Sequence, residues 1–143
     1  MAADDAVLVD TSAWIEYLRG TGSAANVEVR RLLKDETSRV AITEPVTMEL
    51  LAGATSGSAL RALETLTSGL RQLPVDAAVD YVTAATLFRA ARASGETVRK
   101  LLDCLIAAVA IRTGAVLVHR DRDVDVLARV ATDLRVVSLV HGG

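Results

Sequence analysis

"AVLVDTSAWIEYLRG", residues 6–20, sets an unbroken apolar run directly before an acid. Ala6 to Val9 has the pattern of a strand buried on both faces, and Ile15 and Leu18, at helical spacing within residues 12–18, place a helix immediately behind it. Asp10 stands at the junction. A carboxylate there can cap the following helix or belong to a chemical site, and the remainder of the chain decides between the two.

The same alternation continues downstream. After the turn-like "RGTGS", Val27, Leu32 and Leu33 mark a second helix, and "RVAI", residues 39–42, a second strand. A helix over residues 45–52 follows, with Thr43 or Glu44 as its cap, Pro45 in its first turn and Gly53 as its stop. Leu60, Leu63 and Leu66 mark a helix over residues 58–68. "LRQLPV" is a weak strand ended by Pro74, and Asp76 is placed to cap a long helix running to Ser94, where Gly95 breaks it. Residues 101–113 form a strongly apolar helix closed by Gly114, "AVLVH" the clearest later strand, "DRDVDVLARVA" a short helix and "LRVVSL" a last strand. Strands separated by helices predict an α/β fold: a parallel central sheet of four to five strands with helices on both faces, in a single domain over residues 1–143.

Composition narrows the function classes. The chain is 51% apolar but only 3% aromatic, which disfavours nucleic-acid recognition by base stacking. A formal net charge of −2 gives no global attraction to phosphate, so a nucleic-acid partner requires a local basic patch or bound cations. Cys104 is alone, which excludes an intramolecular disulfide, and its apolar surroundings fit a small buried hydrophobe. The N-terminus lacks a basic, apolar leader and no run approaches a membrane span, so a cytoplasmic protein without membrane contact is expected.

The acids carry the functional signal. In open α/β sheets the ligand crevice lies beyond the carboxyl ends of the strands. Asp10 follows strand 1, and Asp121 and Asp123 follow "AVLVH", so both clusters emerge on that edge. Capping explains each of these singly. It does not explain Glu49, more than a turn inside its helix, or Asp103, which interrupts an apolar helix whose Ala107 and Ala110 would leave space beside the carboxylate. Glu44 lies about 140° around the helix from Glu49 and is accounted for by the helix dipole. If these acids converge, their repulsion raises carboxyl pKa values unless positive charge compensates, and all-oxygen ligation suits Mg2+ or Mn2+. Such an ion supports phosphodiester hydrolysis.

At these residues the sequence resembles the PIN-domain ribonucleases, particularly the VapC-type toxins of bacterial toxin–antitoxin pairs. The resemblance rests on "VLVDTSAWIEYLRG", "VTMELLAG" and "LLDCLIAAVAIRTGAVLVHRDRD" in that order and spacing, and spans nearly the whole chain. It implies that Asp10, Glu49, Asp103 and Asp121 are catalytic metal-site acids, with Asp123 an additional one, and that a hydroxyl of the Thr11–Ser12 pair holds a carboxylate or a metal-bound water. Val124 departs from the aromatic residue common at its position. The family further implies a toxin cleaving structured RNA such as tRNA and so inhibiting translation, a homodimer, and a VapB-type antitoxin whose C-terminal segment occupies the acidic groove.

RNA must also be held. Arg89, Arg92, Arg99, Lys100, Arg112, Arg120 and Arg122 concentrate positive charge in the later half, and Arg99, Lys100, Arg112, Arg120 and Arg122 are the RNA-contact candidates. Competing chemistries fit poorly. His119 and His141 are not placed for two-histidine catalysis, Ser12 lacks a nucleophile-elbow frame, "DRDVD" fails the EF-hand spacing, and there is no phosphate-binding loop. The alternative of another class is a non-catalytic α/β module, such as a phosphoacceptor receiver using Asp4, Asp5 and Asp10. It is weakened because Asp4 and Asp5 precede strand 1.

Overall fold

A computed structural model describes residues 5–140. Five short strands, β1 (Val7–Val9), β2 (Val40–Ile42), β3 (Arg71–Gln72), β4 (Val116–His119) and β5 (Val136–Ser138), form one all-parallel sheet in the order β3-β2-β1-β4-β5. Seven helices join them: α1 (Thr11–Arg19), α2 (Ala24–Asp35), α3 (Glu44–Ala52), α4 (Gly57–Ser68), α5 (Asp80–Ala93), α6 (Leu101–Thr113) and α7 (Arg122–Val130). From β1 the chain steps outward to β2 and β3, then crosses back to β4 and β5. Right-handed crossovers therefore put α1–α4 on one face and α5–α7 on the other. This is the layered α/β architecture expected from the alternation of elements.

Burial explains the uninterrupted apolar strands. Leu8, Val9, Val40, Ala41, Ile42 and Leu117 are wholly inaccessible, as central strands covered on both faces must be. Helix α6 is buried from Asp103 to Ala110, which is why its sequence has no polar side. Ala107 and Ala110, on the same stripe as Asp103, are buried with it. Gly114, at φ +73°, takes the left-handed conformation that ends α6 and turns the chain into β4. Cys104 is buried, and that burial pushes its thiol up to about 11, as befits a core residue. None of the described helices is long and apolar enough to cross a membrane.

Helix α5 begins later than its sequence suggests. Asp76 caps a turn, accepting from the Ala78 N–H at 3.0 Å, and the helix starts at Asp80, whose Oδ2 accepts from the Asp76 N–H at 2.8 Å. Asp80 is fully buried and also receives Arg112, with Nε 3.0 Å from Oδ1 and Nη2 3.0 Å from Oδ2, while Nη2 donates to the Pro74 carbonyl at 2.7 Å. Arg112 thus fastens α6 to α5 and the segment before it, at the end of α6 opposite Asp103, while the residue stays exposed on its outer side. Replacing Arg112 with Ala leaves a buried carboxylate unpaired and should cost about 3 kcal/mol, read as a lower urea midpoint, while the folded variant keeps any RNA-cleaving activity.

Candidate active site

Strands β1 and β4 are neighbours from which the chain departs in opposite directions, so a crevice opens beyond their carboxyl ends. Asp10 follows β1 and caps α1: its Oδ2 accepts from the Ser12 N–H at 3.1 Å and the Ser12 hydroxyl at 2.6 Å. Asp121 follows β4 and caps α7, its Oδ1 accepting from the Asp123 N–H at 2.9 Å. Capping is therefore real at both positions. It does not exhaust Asp10, whose Oδ1 is buried without a hydrogen-bond partner.

Helix α6 runs back toward the opposite edge, so its first turn opens at this same crevice with Asp103, 5% exposed, as its third residue. Asp103, Asp121 and Asp123 each present a carboxylate oxygen within 4.8 Å of the others. Glu49 is brought in from α3 by the Thr11 hydroxyl, which donates to its Oε1 at 2.6 Å. Both hydroxyls of the Thr11–Ser12 pair thus hold carboxylates. Glu44 is drawn elsewhere, accepting from the Val75 N–H at 2.7 Å, a firmer tie than the helix dipole alone. Asp123 is the partly neutralised member: its Oδ2 accepts from the Arg99 N–H at 3.1 Å and Nε at 3.2 Å.

The electrostatics follow from this crowding. Burial, then Asp10 and Asp121, push the Asp103 carboxyl up to about 7, with Glu49 adding to the rise and Lys100 opposing it. Burial also raises Asp10 above its ordinary value, against the Ser12 hydrogen bonds that favour its charged form. Of four buried side-chain polar atoms without a hydrogen-bond partner among the described residues, three belong here: Asp10 Oδ1, Asp103 Oδ2 and His119 Nε2. Two unpartnered carboxylate oxygens in an all-oxygen set fit a hard divalent cation.

The remaining residues sort by their partners. Arg99 is bound to Asp123 yet its side chain is 74% exposed; Lys100 and Arg122 are exposed; Arg120 pairs with Glu16 on α1. Glu16 and His119 were not among the expected site residues. His119 is fully buried, below its ordinary pKa because of that burial, and its Nδ1 accepts from the Asp121 N–H at 3.1 Å. Its place at the end of β4, two residues before Asp121, is the signal that could have found it. Asp5 lies at the far edge of the sheet, with its carbonyl on Arg39 and its carboxylate 3.5 Å from Arg135, so it forms no receiver-like pocket with Asp10. Asp4 and His141 lie outside the described residues.

The PIN domain family model matches residues 7–131. VapC ribonuclease Mb1587 from Mycobacterium bovis and ribonuclease VapC11 from Mycobacterium tuberculosis are each 56% identical to this chain over 132 residues, covering 92% of it and 98% of the relative. Among solved structures, DNA-bound VapBC from Salmonella typhimurium is similar with a TM-score of 0.76 at 22% identity, covering 94% of this chain and 98% of the matched one.

The raised Asp103 pKa has a stability consequence. Without a cation the native state holds the Asp103 proton up to about pH 7, whereas the unfolded chain releases it near 3.8. The native state binds the extra proton between these values, so its stability is greatest at the acid end of that window and falls as pH rises to about 7. Asp103→Asn should remove that slope. Measured by urea unfolding in chelator, it should stabilise the protein at pH 8 by on the order of 2 kcal/mol and change little at pH 4.

Proposed function

This chain belongs to the PIN-domain family, with the VapC ribonucleases as its relatives, and from that premise we propose that it is a divalent-metal-dependent endoribonuclease acting as the toxin of a toxin–antitoxin pair. The observation that carries this reading is the gathering of acids from four separate segments at one sheet edge, with Asp103, Asp121 and Asp123 the tightest group and buried oxygens of Asp10 and Asp103 unpartnered. In this proposal residues 1–143 work as one PIN-like nuclease unit in the cytoplasm.

Asp10, Asp103 and Asp121 would hold Mg2+ or Mn2+, with Glu49 as a direct or water-mediated ligand and Asp123 as an additional acid. The bound ion would offset the carboxylate repulsion and supply the Lewis acidity for phosphodiester hydrolysis. The chain's own contribution is preorganisation. Ser12 fixes Oδ2 of Asp10 and so orients the carboxylate, Thr11 fixes Glu49, and the start of α7 holds Asp121. Arg99, Lys100 and Arg122 lie exposed near the acids and would meet phosphates of the RNA, offsetting the acidic edge for a polyanion. Arg120, tied to Glu16, would contribute once part of that pairing is exchanged for phosphate.

The proposed substrate is structured RNA such as tRNA, whose cleavage would inhibit translation, and the proposed partner is a VapB-type antitoxin. A cleft of 720 Å³ between α1, α3 and α4, lined by Ile15, Leu18, Leu50, Leu63 and Leu66, runs to Glu49 and is suited to a segment that is apolar along its length and basic where it reaches the acids. A homodimer is also proposed, and the exposed Tyr81, Val82 and Leu101 supply apolar surface for it. Purified protein incubated with total tRNA should generate new 5′ ends in Mg2+ or Mn2+, mapped by sequencing. Chelator should abolish them, and Asp10→Asn should reduce them on the order of 100-fold or more. Phosphoryl uptake with intact RNA would instead favour a receiver.

A further inference from the structure

Just past β4 the chain leaves the sheet, and two successive backbone N–H groups need partners that neither sheet nor helix supplies. The Arg120 N–H donates to the Ser12 hydroxyl at 2.9 Å, and that hydroxyl in turn donates to Asp10. The Asp121 N–H donates to His119 Nδ1 at 3.1 Å. His119 is itself anchored: its carbonyl accepts from the Leu139 N–H at 2.8 Å, it pairs with Ser138 of β5, and its ring is fully buried. Nε2 lies 3.2 Å from Asp125 Oδ1 on α7, though out of line for a hydrogen bond.

We infer that His119 is a positioning residue for the acidic centre, its Nδ1 fixing the backbone from which the Asp121 carboxylate projects. The inference rests on the metal-site reading of Asp121. Asp121 sits in extended backbone, φ −135° and ψ 124°, between a strand and the helix it caps, and its Oδ1 is committed to the Asp123 N–H. With the amide on one side held by His119 and Oδ1 on the other held by α7, the carboxylate has little freedom to rotate away from Asp103 and Asp123.

The two ring nitrogens can be tested separately. In His119→Asn the side-chain oxygen falls near the place of Nδ1 and keeps an acceptor for the Asp121 N–H. In His119→Gln the polar group falls near Nε2, toward Asp125, and the δ acceptor is lost. Mn2+ affinity is read by electron paramagnetic resonance titration, and Asp121 amide exchange by NMR in the metal-free protein. The Gln variant should bind Mn2+ about 10- to 100-fold more weakly, the usual loss when a partner of a metal ligand is removed, with accelerated Asp121 exchange. The Asn variant should stay within about threefold of wild type on the same scale, with Asp121 protected. Equal behaviour of the two variants, or loss of Mn2+ by a folded Asn variant, would overturn the inference; the latter serves alone if the Gln variant does not fold. If wild type binds no Mn2+, the metal reading fails, while Asp121 exchange still decides whether His119 fixes that backbone.

Discussion

Mutual repulsion between carboxylates packed at one edge of a hydrophobic sheet is the constraint around which the molecule is arranged. Asp10 and Asp103 are almost wholly removed from water, and their neighbours Asp121, Asp123 and Glu49 share their sign. Such a cluster opposes folding through both desolvation and Coulomb repulsion. It is tolerated because the elements that carry it have no other arrangement: β1 and β4 are fixed side by side in the core, and α6 is buried along most of its length. The core supplies the stability that the acids diminish.

Helix capping and the acidic crevice use the same residues here. Asp10 and Asp121 are helix caps and also line the crevice, a carboxylate having two oxygens of which a cap occupies one. Asking whether such an acid caps or binds thus poses a false choice at a strand-to-helix turn. The hydroxyls beside Asp10 extend the principle. Ser12 serves its own helix start and the backbone leaving β4, so one side chain aligns the two central strand ends with each other.

Much of the fold was legible because burial writes itself into periodicity. The wholly apolar β1, the mostly apolar α6 and the glycine that ends α6 were read at nearly their observed limits. What escaped detection depends on contacts between residues distant in sequence. Asp76 looked like the cap of α5 because capping is local, but it caps the turn before the helix, and Asp80 at the helix start is tied to Arg112, 32 residues away. Arg112 is exposed on its outer side, and its buried partner Asp80 is invisible to any local pattern. At the crevice, Asp10, Asp121 and Asp123 drew notice by following strands, and Glu49 and Asp103 because capping does not account for them; their mutual geometry was not legible. The tight grouping of Asp123 with Asp103 and Asp121 and the ring of His119 beneath Asp121 both require the fold.

Those long-range contacts also divide labour among the acids. Asp123 already has a cation, since Arg99 gives it both a backbone N–H and the guanidinium Nε from the segment that leads into α6. Glu49 has a hydroxyl donor, and Asp121 a backbone one. Asp10 and Asp103 each keep a buried oxygen without a hydrogen-bond partner. Positive charge introduced into the crevice gains most by approaching those two oxygens, where the protein has supplied least compensation, and gains least at Asp123. The pairing of Arg99 with Asp123 thus leaves the demand for a cation on the side of the crevice where β1 and the start of α6 converge.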